Sequence, residues 1–214
     1  MSLRKLLALA AATLGLTAIP ALAQQANYGK LEPQQPTEAT GRIEVTEFFW
    51  YGCPHCYTLE PAVNNWLKNA PKDVVFRRIP ATPGDTGWGE ASRVYYTLEA
   101  MNLLEQNHQK VFDAFHKEKL NLGQKAKRDE WLAKNGIDPA KYAETEKSFT
   151  VATKLARAKQ LTYAYKIDSV PRVIVNGKYY TSAEQAVRCV ERFRAAGGKL
   201  HGCIALGSVA APTA

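Results

Sequence analysis

The amino-acid sequence predicts an α/β fold in which a βαβ half and a ββα half are separated by an all-helical insertion. Three observations support this prediction. Two stretches rich in β-branched and aromatic residues enclose a helical segment between residues 43 and 79. Apolar residues then follow the 3.6-residue helical period up to about residue 166. Beyond residue 172, two short strand patterns flank a tight-turn sequence.

The first 23 residues have the organisation of an export signal. Arg4 and Lys5 form a positive region, Leu6 to Ile19 form an apolar run, and a small-residue motif predicts cleavage after Ala23. The run of about 14 residues is shorter than the roughly 20 that a membrane span needs, which argues against the alternative of an uncleaved anchor. No cysteine follows the cleavage motif, so we expect no lipid anchor.

The basic composition does not indicate a nucleic-acid site. Without Arg4 and Lys5, 26 of the 28 basic residues remain against 20 acidic ones, a net charge of +6. No basic run is interleaved with aromatic residues, and no glycine-rich phosphate loop is found in the sequence. We therefore interpret the charge as a solvated face and expect neither a nucleic-acid partner nor a cofactor.

The βαβ half begins after residues 24–41, whose Gln, Pro, Thr and Ala predict a loose leader. Ile43 to Tyr51 predicts a buried strand. Cys53 to about Lys68 predicts a helix with a proline in its first turn, where a missing N–H costs little. Val74 to Ile79 predicts the second strand, and the glycines and prolines of residues 80–89 predict a loop.

The insertion and the ββα half follow. In the insertion, Gly136 ends one predicted helix, Asp138 caps the next, and residues 149–163 form a longer one. Strand patterns on either side of Asn176-Gly177 predict a hairpin, over Arg172 to Val175 and Lys178 to Thr181. A capping box that begins at Ser182 predicts a last helix to about Ala196.

The motif Cys53-Pro54-His55-Cys56 carries the chemistry. It lies where the first strand meets the helix, so Cys53 is predicted at the helix N-terminus, where free N–H groups and the helix dipole favour a thiolate. We predict that Cys53 is an exposed nucleophile and that Cys56, one turn inward, is the buried resolving thiol. Pro54 shapes the turn. His55 can donate to the Cys53 thiolate or place positive charge near it, although a plain surface histidine is the alternative.

The other histidines show no partner pattern, and we expect surface or structural roles for His108, His116 and His201. The four cysteines allow three disulfide pairings, of which we favour Cys53–Cys56 with Cys189–Cys203, since the first two are too close in sequence to avoid each other. We interpret Cys189–Cys203 as a structural disulfide rather than a second redox site. Its closed loop of about 14 residues would contribute roughly 3 kcal/mol. A zinc site built from all four cysteines would need paired knuckles and a reduced state, so we expect no metal.

Two stretches, Glu47 to Cys56 (EFFWYGCPHC) and Ser169-Val170-Pro171 before VIVNG, resemble the DsbA family of exported bacterial thiol:disulfide oxidoreductases. The resemblance covers essentially the whole mature chain. It implies a periplasmic protein with the thioredoxin fold and a helical insertion domain, although not every DsbA-like protein has a pair like Cys189 and Cys203. The implied organisation is a thioredoxin-like domain at 42–84 and 167–205, the insertion at 85–166 and a flexible tail at 206–214.

The resemblance also implies the reaction. The Cys53–Cys56 disulfide would be donated to reduced, unfolded exported proteins through a mixed disulfide at Cys53, and a quinone-coupled membrane oxidase of the DsbB type would re-oxidise the protein. Pro171 would be a cis-proline opposite the CxxC motif, and Val170 would offer its backbone to an extended substrate.

Glu47 is an acid in an otherwise apolar strand, and a buried carboxylate is costly unless it is paired or protonated. The resemblance implies that it assists proton transfer at the resolving cysteine. An exposed strand position is the alternative. Either Arg77 or Arg78 is a possible ionic partner, and Glu60 is either part of the same region or solvated.

Two rival functions remain from the sequence alone. An isomerase or reductase would need a reducing partner and usually dimerises. No added dimerisation domain is present in the sequence, so we expect a monomer. A periplasmic holdase would bind unfolded chains and keep its activity when Cys53 is replaced by serine.

Overall fold

The computed structural model describes residues 28–84 and 87–181. The predicted signal peptide, cleavage site, last helix, Cys189, Cys203, His201 and tail lie outside the described residues. The strands are β1 (Gly29–Lys30), β2 (Ile43–Phe49), β3 (Val74–Pro80), β4 (Arg172–Val175) and β5 (Tyr179–Tyr180). The helices are α1 (Pro54–Leu67), α2 (Trp88–Ala100), α3 (Leu104–His116), α4 (Lys125–Lys134), α5 (Pro139–Glu146) and α6 (Phe149–Ala164).

The strands form one mixed sheet in the order β1-β5-β4-β2-β3. β2 and β3 run parallel and are connected through α1, whereas β4 pairs antiparallel with β2 and with β5. This arrangement confirms the predicted βαβ half and the predicted hairpin. β2 ends at Phe49 and not at Tyr51, because the chain turns there: the Cys53 N–H donates to the Trp50 carbonyl at 3.0 Å.

The helical insertion is confirmed as five helices, α2 to α6, between β3 and β4. α6 starts at the predicted position, and α5 has the predicted cap, with the Asp138 carboxylate accepting from the Ala140 N–H at 2.8 Å. The predicted loop over 80–89 is slightly too long because α2 already begins at Trp88. The main hydrophobic core extends from the sheet into the insertion, so the two parts share their largest buried side chains. Within the described residues, none of the helices has the length and apolarity of a membrane span.

The prediction of a loose leader is wrong for the segment that follows Tyr28. Gly29–Lys30 pairs antiparallel with β5, and the Leu31 N–H donates to the Lys178 carbonyl at 2.7 Å. The Gln35 N–H donates to the Gly177 carbonyl at 2.9 Å. A two-residue edge strand has no periodic signal of its own, so its conformation is set by the hairpin that it pairs with.

The hairpin turn is closed by Asn176 and Gly177, with φ of 50° and 61°. Positive φ at both central residues is the geometry that Asn-Gly favours. The Asn176 side chain also accepts from the Glu44 N–H at 2.8 Å, which ties the turn to β2. The hairpin thereby fixes the loop that precedes it, residues 168–171, at the end of β2 where the CxxC motif lies.

Candidate active site

Cys53 is the N-cap residue of α1 and has an extended backbone, with Pro54 in the first turn of the helix. The Cys56 N–H points to the Cys53 sulfur at 3.5 Å, as a capping hydrogen bond. Cys53 and Cys56 are both free cysteines in this structure. Cys56 is fully buried, as predicted. The prediction of an exposed Cys53 is wrong: only 7% of the residue is accessible, because the loop that carries Val170 packs against it.

The two thiols have opposite pKa shifts. The hydrogen bond from the Cys56 thiol, the N–H groups of Cys56 and His55, and the positive charge of His55 together outweigh burial and lower the pKa of Cys53 from 9.0 to about 6. Burial, followed by the hydrogen bond with Cys53 and the Cys53 charge, raises the pKa of Cys56 well above its usual value. At neutral pH the motif therefore contains one thiolate and one thiol.

The loop opposite the motif carries the predicted cis-proline. The Val170–Pro171 peptide bond is cis, and the Cys53 sulfur lies 3.3 Å from the Val170 carbonyl oxygen. Arg172, the first residue of β4, holds this loop from the other side. Its guanidinium donates to the Asp168 carboxylate at 2.7 Å and to the Ser169 hydroxyl at 3.0 Å.

Glu47 lies on β2 and is completely buried, which excludes the exposed alternative. Its register partner on β3 is Arg78, whose Nε lies 3.4 Å from Oε2 of Glu47. Arg77 points elsewhere and pairs with Glu38 and Glu44. In the described part of the chain neither carboxylate oxygen of Glu47 has a hydrogen-bond partner. Burial, reinforced by the negative charge of a nearby glutamate and opposed by Arg78, raises the pKa of Glu47 to about 8.

That nearby glutamate is Glu60, on α1, which is also fully buried. Arg78 donates to both of its oxygens, at 3.2 and 3.0 Å, and Asn64 donates to it at 3.3 Å. Burial opposes its ionisation, but His108 and Arg78 outweigh burial and lower the pKa of Glu60. Glu60 is thus the ionised member of the pair and Glu47 the protonated one at neutral pH.

Two histidines of α3 complete the site, and sequence reasoning missed both. His108 is 7% exposed and lies between the Tyr51 hydroxyl, 2.7 Å from Nδ1, and Glu60, 3.3 Å from Nε2. His116 Nε2 lies 2.8 Å from the Tyr51 carbonyl oxygen, and its ring stacks on Tyr57 at 4.7 Å. Their spacing of eight residues, with Phe112 midway, places them on one helix face and was the available signal.

His55 and Pro54 lie in the exposed first turn of α1. The structure therefore brings together Cys53, Cys56, His55, Pro54, Glu47, Val170 and Pro171. The arrangement provides a stabilised thiolate, a protonated partner thiol, a buried acid that interacts with Cys56, and a backbone acceptor beside the nucleophile. Over residues 28–84 and 87–181, no group of three or more His, Cys, Asp or Glu side chains is placed to hold a metal ion.

Comparisons with known proteins agree with this chemistry. Residues 44–192 match the family described as the DSBA-like thioredoxin domain. The thiol:disulfide interchange protein DsbA of Azotobacter vinelandii is 43% identical over 152 residues, 71% of each chain. Its namesake from Bordetella pertussis is 42% identical over 178 residues, which are 81% of this chain and 84% of that protein.

Solved structures give the same result. The crystal structure of Pseudomonas aeruginosa DsbA superposes with a TM-score of 0.69 at 36% identity, covering 81% of this chain and 95% of that one. The oxidoreductase DsbA from Xylella fastidiosa superposes with a TM-score of 0.68 at 26% identity, covering 78% and 95%. The chain belongs to the DsbA family, has the thioredoxin fold with a helical insertion, and is a thiol:disulfide oxidoreductase.

Proposed function

We propose that this member of the DsbA family acts as a dithiol oxidase, donating the Cys53–Cys56 disulfide to reduced, unfolded exported proteins. The observation that carries the proposal is the position of Cys53 at the N-cap of α1, where the Cys56 N–H points to its sulfur and helps to lower its pKa. A thiolate exists only in the reduced enzyme, so its stabilisation favours reduction of the disulfide and makes that disulfide an oxidant. A pKa lowered from 9.0 to about 6 stabilises the reduced form at pH 7 by about 1.4 kcal/mol, or about 30 mV.

The reaction takes two exchange steps. A substrate thiolate attacks the Cys53 sulfur, the bond between Cys53 and Cys56 breaks, and its electron pair goes to the Cys56 sulfur. Glu47, protonated at neutral pH, gives its proton to that leaving thiolate, and solvent later restores the proton. The second substrate thiolate then attacks the substrate sulfur of the mixed disulfide and releases the Cys53 thiolate. Two electrons move from the substrate dithiol to the enzyme.

Substrate binding uses the loop of residues 168–171. The Val170 carbonyl lies 3.3 Å from the Cys53 sulfur, so a backbone N–H of an extended chain that reaches this carbonyl is already beside the nucleophile. Pro171 orients that carbonyl towards Cys53. We assign Val170 and Pro171 to substrate binding on this geometry, and Pro54 and His55 to shaping the turn and stabilising the thiolate.

The sequence and the family membership together support a proposed cellular setting. The protein would be exported to the periplasm after cleavage behind Ala23, act as a monomer, and be re-oxidised by a quinone-coupled membrane partner of the DsbB type. Cys189 and Cys203 would form a structural disulfide.

Trapping of the mixed disulfide tests the proposal. Cys56→Ser removes the resolving thiol, and its Cys53 can first be converted to a mixed disulfide with 5-thio-2-nitrobenzoate. A reduced unfolded protein with one cysteine should then attack the Cys53 sulfur, release thionitrobenzoate and accumulate as a covalent adduct, which reductant should cleave. Cys53→Ser, treated in the same way, should form no adduct, and untreated it should form no substrate disulfide. Suppression of aggregation by Cys53→Ser at the wild-type level, with no oxidation by either protein, would support the holdase instead.

A further inference from the structure

His108 lies outside the CxxC motif and outside the thioredoxin-like part of the chain. Its imidazole nevertheless contacts Glu60, which forms a buried polar cluster with Glu47 and Arg78. Four aromatic rings surround its imidazole, with centroids 5.3 to 5.9 Å away, and they belong to Phe49, Tyr51, Tyr95 and Phe112. Within this apolar cage the two ring nitrogens face Tyr51 and Glu60. A polar side chain buried in this way is costly unless its hydrogen bonds are satisfied.

The hydrogen bonds around the imidazole have a fixed direction in its neutral form. The ionised Glu60, which accepts from Arg78 at both oxygens, can only accept, so Nε2 carries the ring proton and donates to Oε1 of Glu60, and Nδ1 accepts from the Tyr51 hydroxyl. In the protonated form both nitrogens donate, and the Tyr51 hydroxyl accepts. A donor therefore faces Glu60 in both forms, and this favours the ionised carboxylate.

In this group of side chains one arginine faces two buried carboxyl groups. Arg78 is the cation next to two buried carboxyl groups, and its guanidinium lies 3.0 and 3.2 Å from Glu60 but 3.4 Å from Glu47. Two carboxylates that share one arginine compete for it, so the better-stabilised anion leaves the other group protonated. The donor from α3 stabilises Glu60.

We propose that His108 is a positioning residue for the redox centre: by fixing Glu60 on Arg78, it keeps the buried acid of β2 in its protonated form. This inference rests on the proposed role of Glu47 as proton donor to Cys56. The titratable groups around the imidazole are Tyr51 from the β2–α1 turn, Glu60 from α1 and Tyr95 from α2, with Arg78 and Glu47 behind Glu60. A residue of the helical insertion thereby keeps on Glu47 the proton that is transferred to Cys56.

Titration of the Glu47 carboxyl group tests the inference. Its protonated C=O stretch can be followed by infrared spectroscopy in the reduced protein and assigned by its loss in Glu47→Gln. In the wild type we expect a midpoint near pH 8. In His108→Leu we expect a midpoint lower by about one pH unit, the effect of one charge-assisted hydrogen bond.

Two further variants separate this effect from general damage to the core. His108→Gln keeps an N–H donor for Glu60, so its midpoint should stay within about 0.3 units of wild type. In Glu60→Gln, residue 60 carries no charge and no longer competes with Glu47 for Arg78. Adding His108→Leu to this variant should therefore shift the Glu47 midpoint no further. A wild-type midpoint in His108→Leu, or full additivity of the two substitutions, would overturn the inference.

Activity provides a separate readout. In the pH profile of dithiol oxidation, the loss of rate above the Glu47 midpoint should move to lower pH in His108→Leu together with the infrared midpoint. If the proposed oxidase direction is wrong, the infrared result still stands, because it measures protonation and not turnover. If the infrared midpoint of Glu47 moves in His108→Leu while the rate profile does not, the proposed role of Glu47 as proton donor is wrong. The effect of His108 on the protonation of Glu47 is then still observed.

Discussion

Glu47 and Arg78 are register partners on β2 and β3, yet their closest atoms are 3.4 Å apart and no hydrogen bond joins them. The guanidinium is turned towards Glu60, to which it donates twice. A buried carboxyl group facing an arginine that is engaged elsewhere keeps its proton at neutral pH. This relationship connects the polar cluster to the leaving thiol of the redox motif.

Replacing Glu47 by glutamine should separate stability from activity. The pKa of Glu47 is raised in the folded state, so the stability that it contributes is present below about pH 4.5 and is lost as pH rises towards 8. Glu47→Gln should therefore raise the free energy of unfolding at pH 7 by about 1 to 3 kcal/mol, with no gain at pH 4. The rate of substrate oxidation at pH 7 should fall at least about tenfold. Urea unfolding at both pH values and stopped-flow kinetics measure the two effects, and equal stability at pH 7 would contradict the assigned protonation.

The low pKa of Cys53 should depend on the hydrogen bond from residue 56. Cys56→Ser keeps a donor at this position and Cys56→Ala removes it, while both abolish the disulfide. We expect the Cys53 pKa to rise by about one unit in Cys56→Ala relative to Cys56→Ser. Thiolate absorbance near 240 nm, followed against pH, gives both values. Identical titrations would show that helix N–H groups alone stabilise the thiolate.

Arg172 should matter for substrate binding and not for the redox couple. Nη2 of Arg172 donates to both Asp168 and Ser169, and the guanidinium lies over the Tyr180 ring at 4.8 Å, a stacked position that an ammonium group does not reproduce. Arg172→Lys should loosen the loop that presents Val170 and slow oxidation of an unfolded protein by about threefold to tenfold. The redox potential should remain at the wild-type value. A changed potential with unchanged substrate kinetics would contradict this role.

The hairpin turn offers a stability test with a matched control. Gly177 has φ of +61°, and a Cβ there would lie 2.1 Å from the Gln35 carbonyl oxygen. Gly41 has a similar φ of +70° but no atom within 4 Å of the corresponding position. Gly41→Ala should cost about 1 kcal/mol, the price of the backbone conformation alone. Gly177→Ala should cost at least about 2 kcal/mol more, measured by thermal or urea unfolding. Equal losses would show that the segment around Gln35 moves away freely.

Local signals predicted the parts of the fold that depend on a few neighbouring residues. Asn176-Gly177 closes the hairpin because both residues accept positive φ, and the proline after Cys53 starts α1 because it needs no N–H partner. The same reasoning missed His108, because its partners Tyr51 and Glu60 lie 57 and 48 residues away in the chain. It also missed β1, whose pairing partner is about 150 residues distant.

The exposure of Cys53 was mispredicted for a related reason. A helix N-terminus is usually accessible, and nothing in residues 53–56 indicates that a loop from residues 168–171 covers the sulfur. The resemblance placed Pro171 opposite the motif, but the extent of burial depends on packing that only the structure provides.

The redox potential of the Cys53–Cys56 pair, measured against glutathione from pH 5 to 8, tests most directly whether a stabilised Cys53 thiolate makes this protein an oxidant. We predict a slope of about 59 mV per pH unit below pH 6 that falls to about 30 mV above it, because the reduced form then takes up one proton fewer. At pH 7 the thiolate should make the potential about 20 mV more oxidising than the value of about −270 mV known for thioredoxin, whose own thiolate has a pKa of about 7. A constant slope of about 59 mV up to pH 8, with a potential near that of thioredoxin, would contradict the assigned thiolate and the oxidase function together.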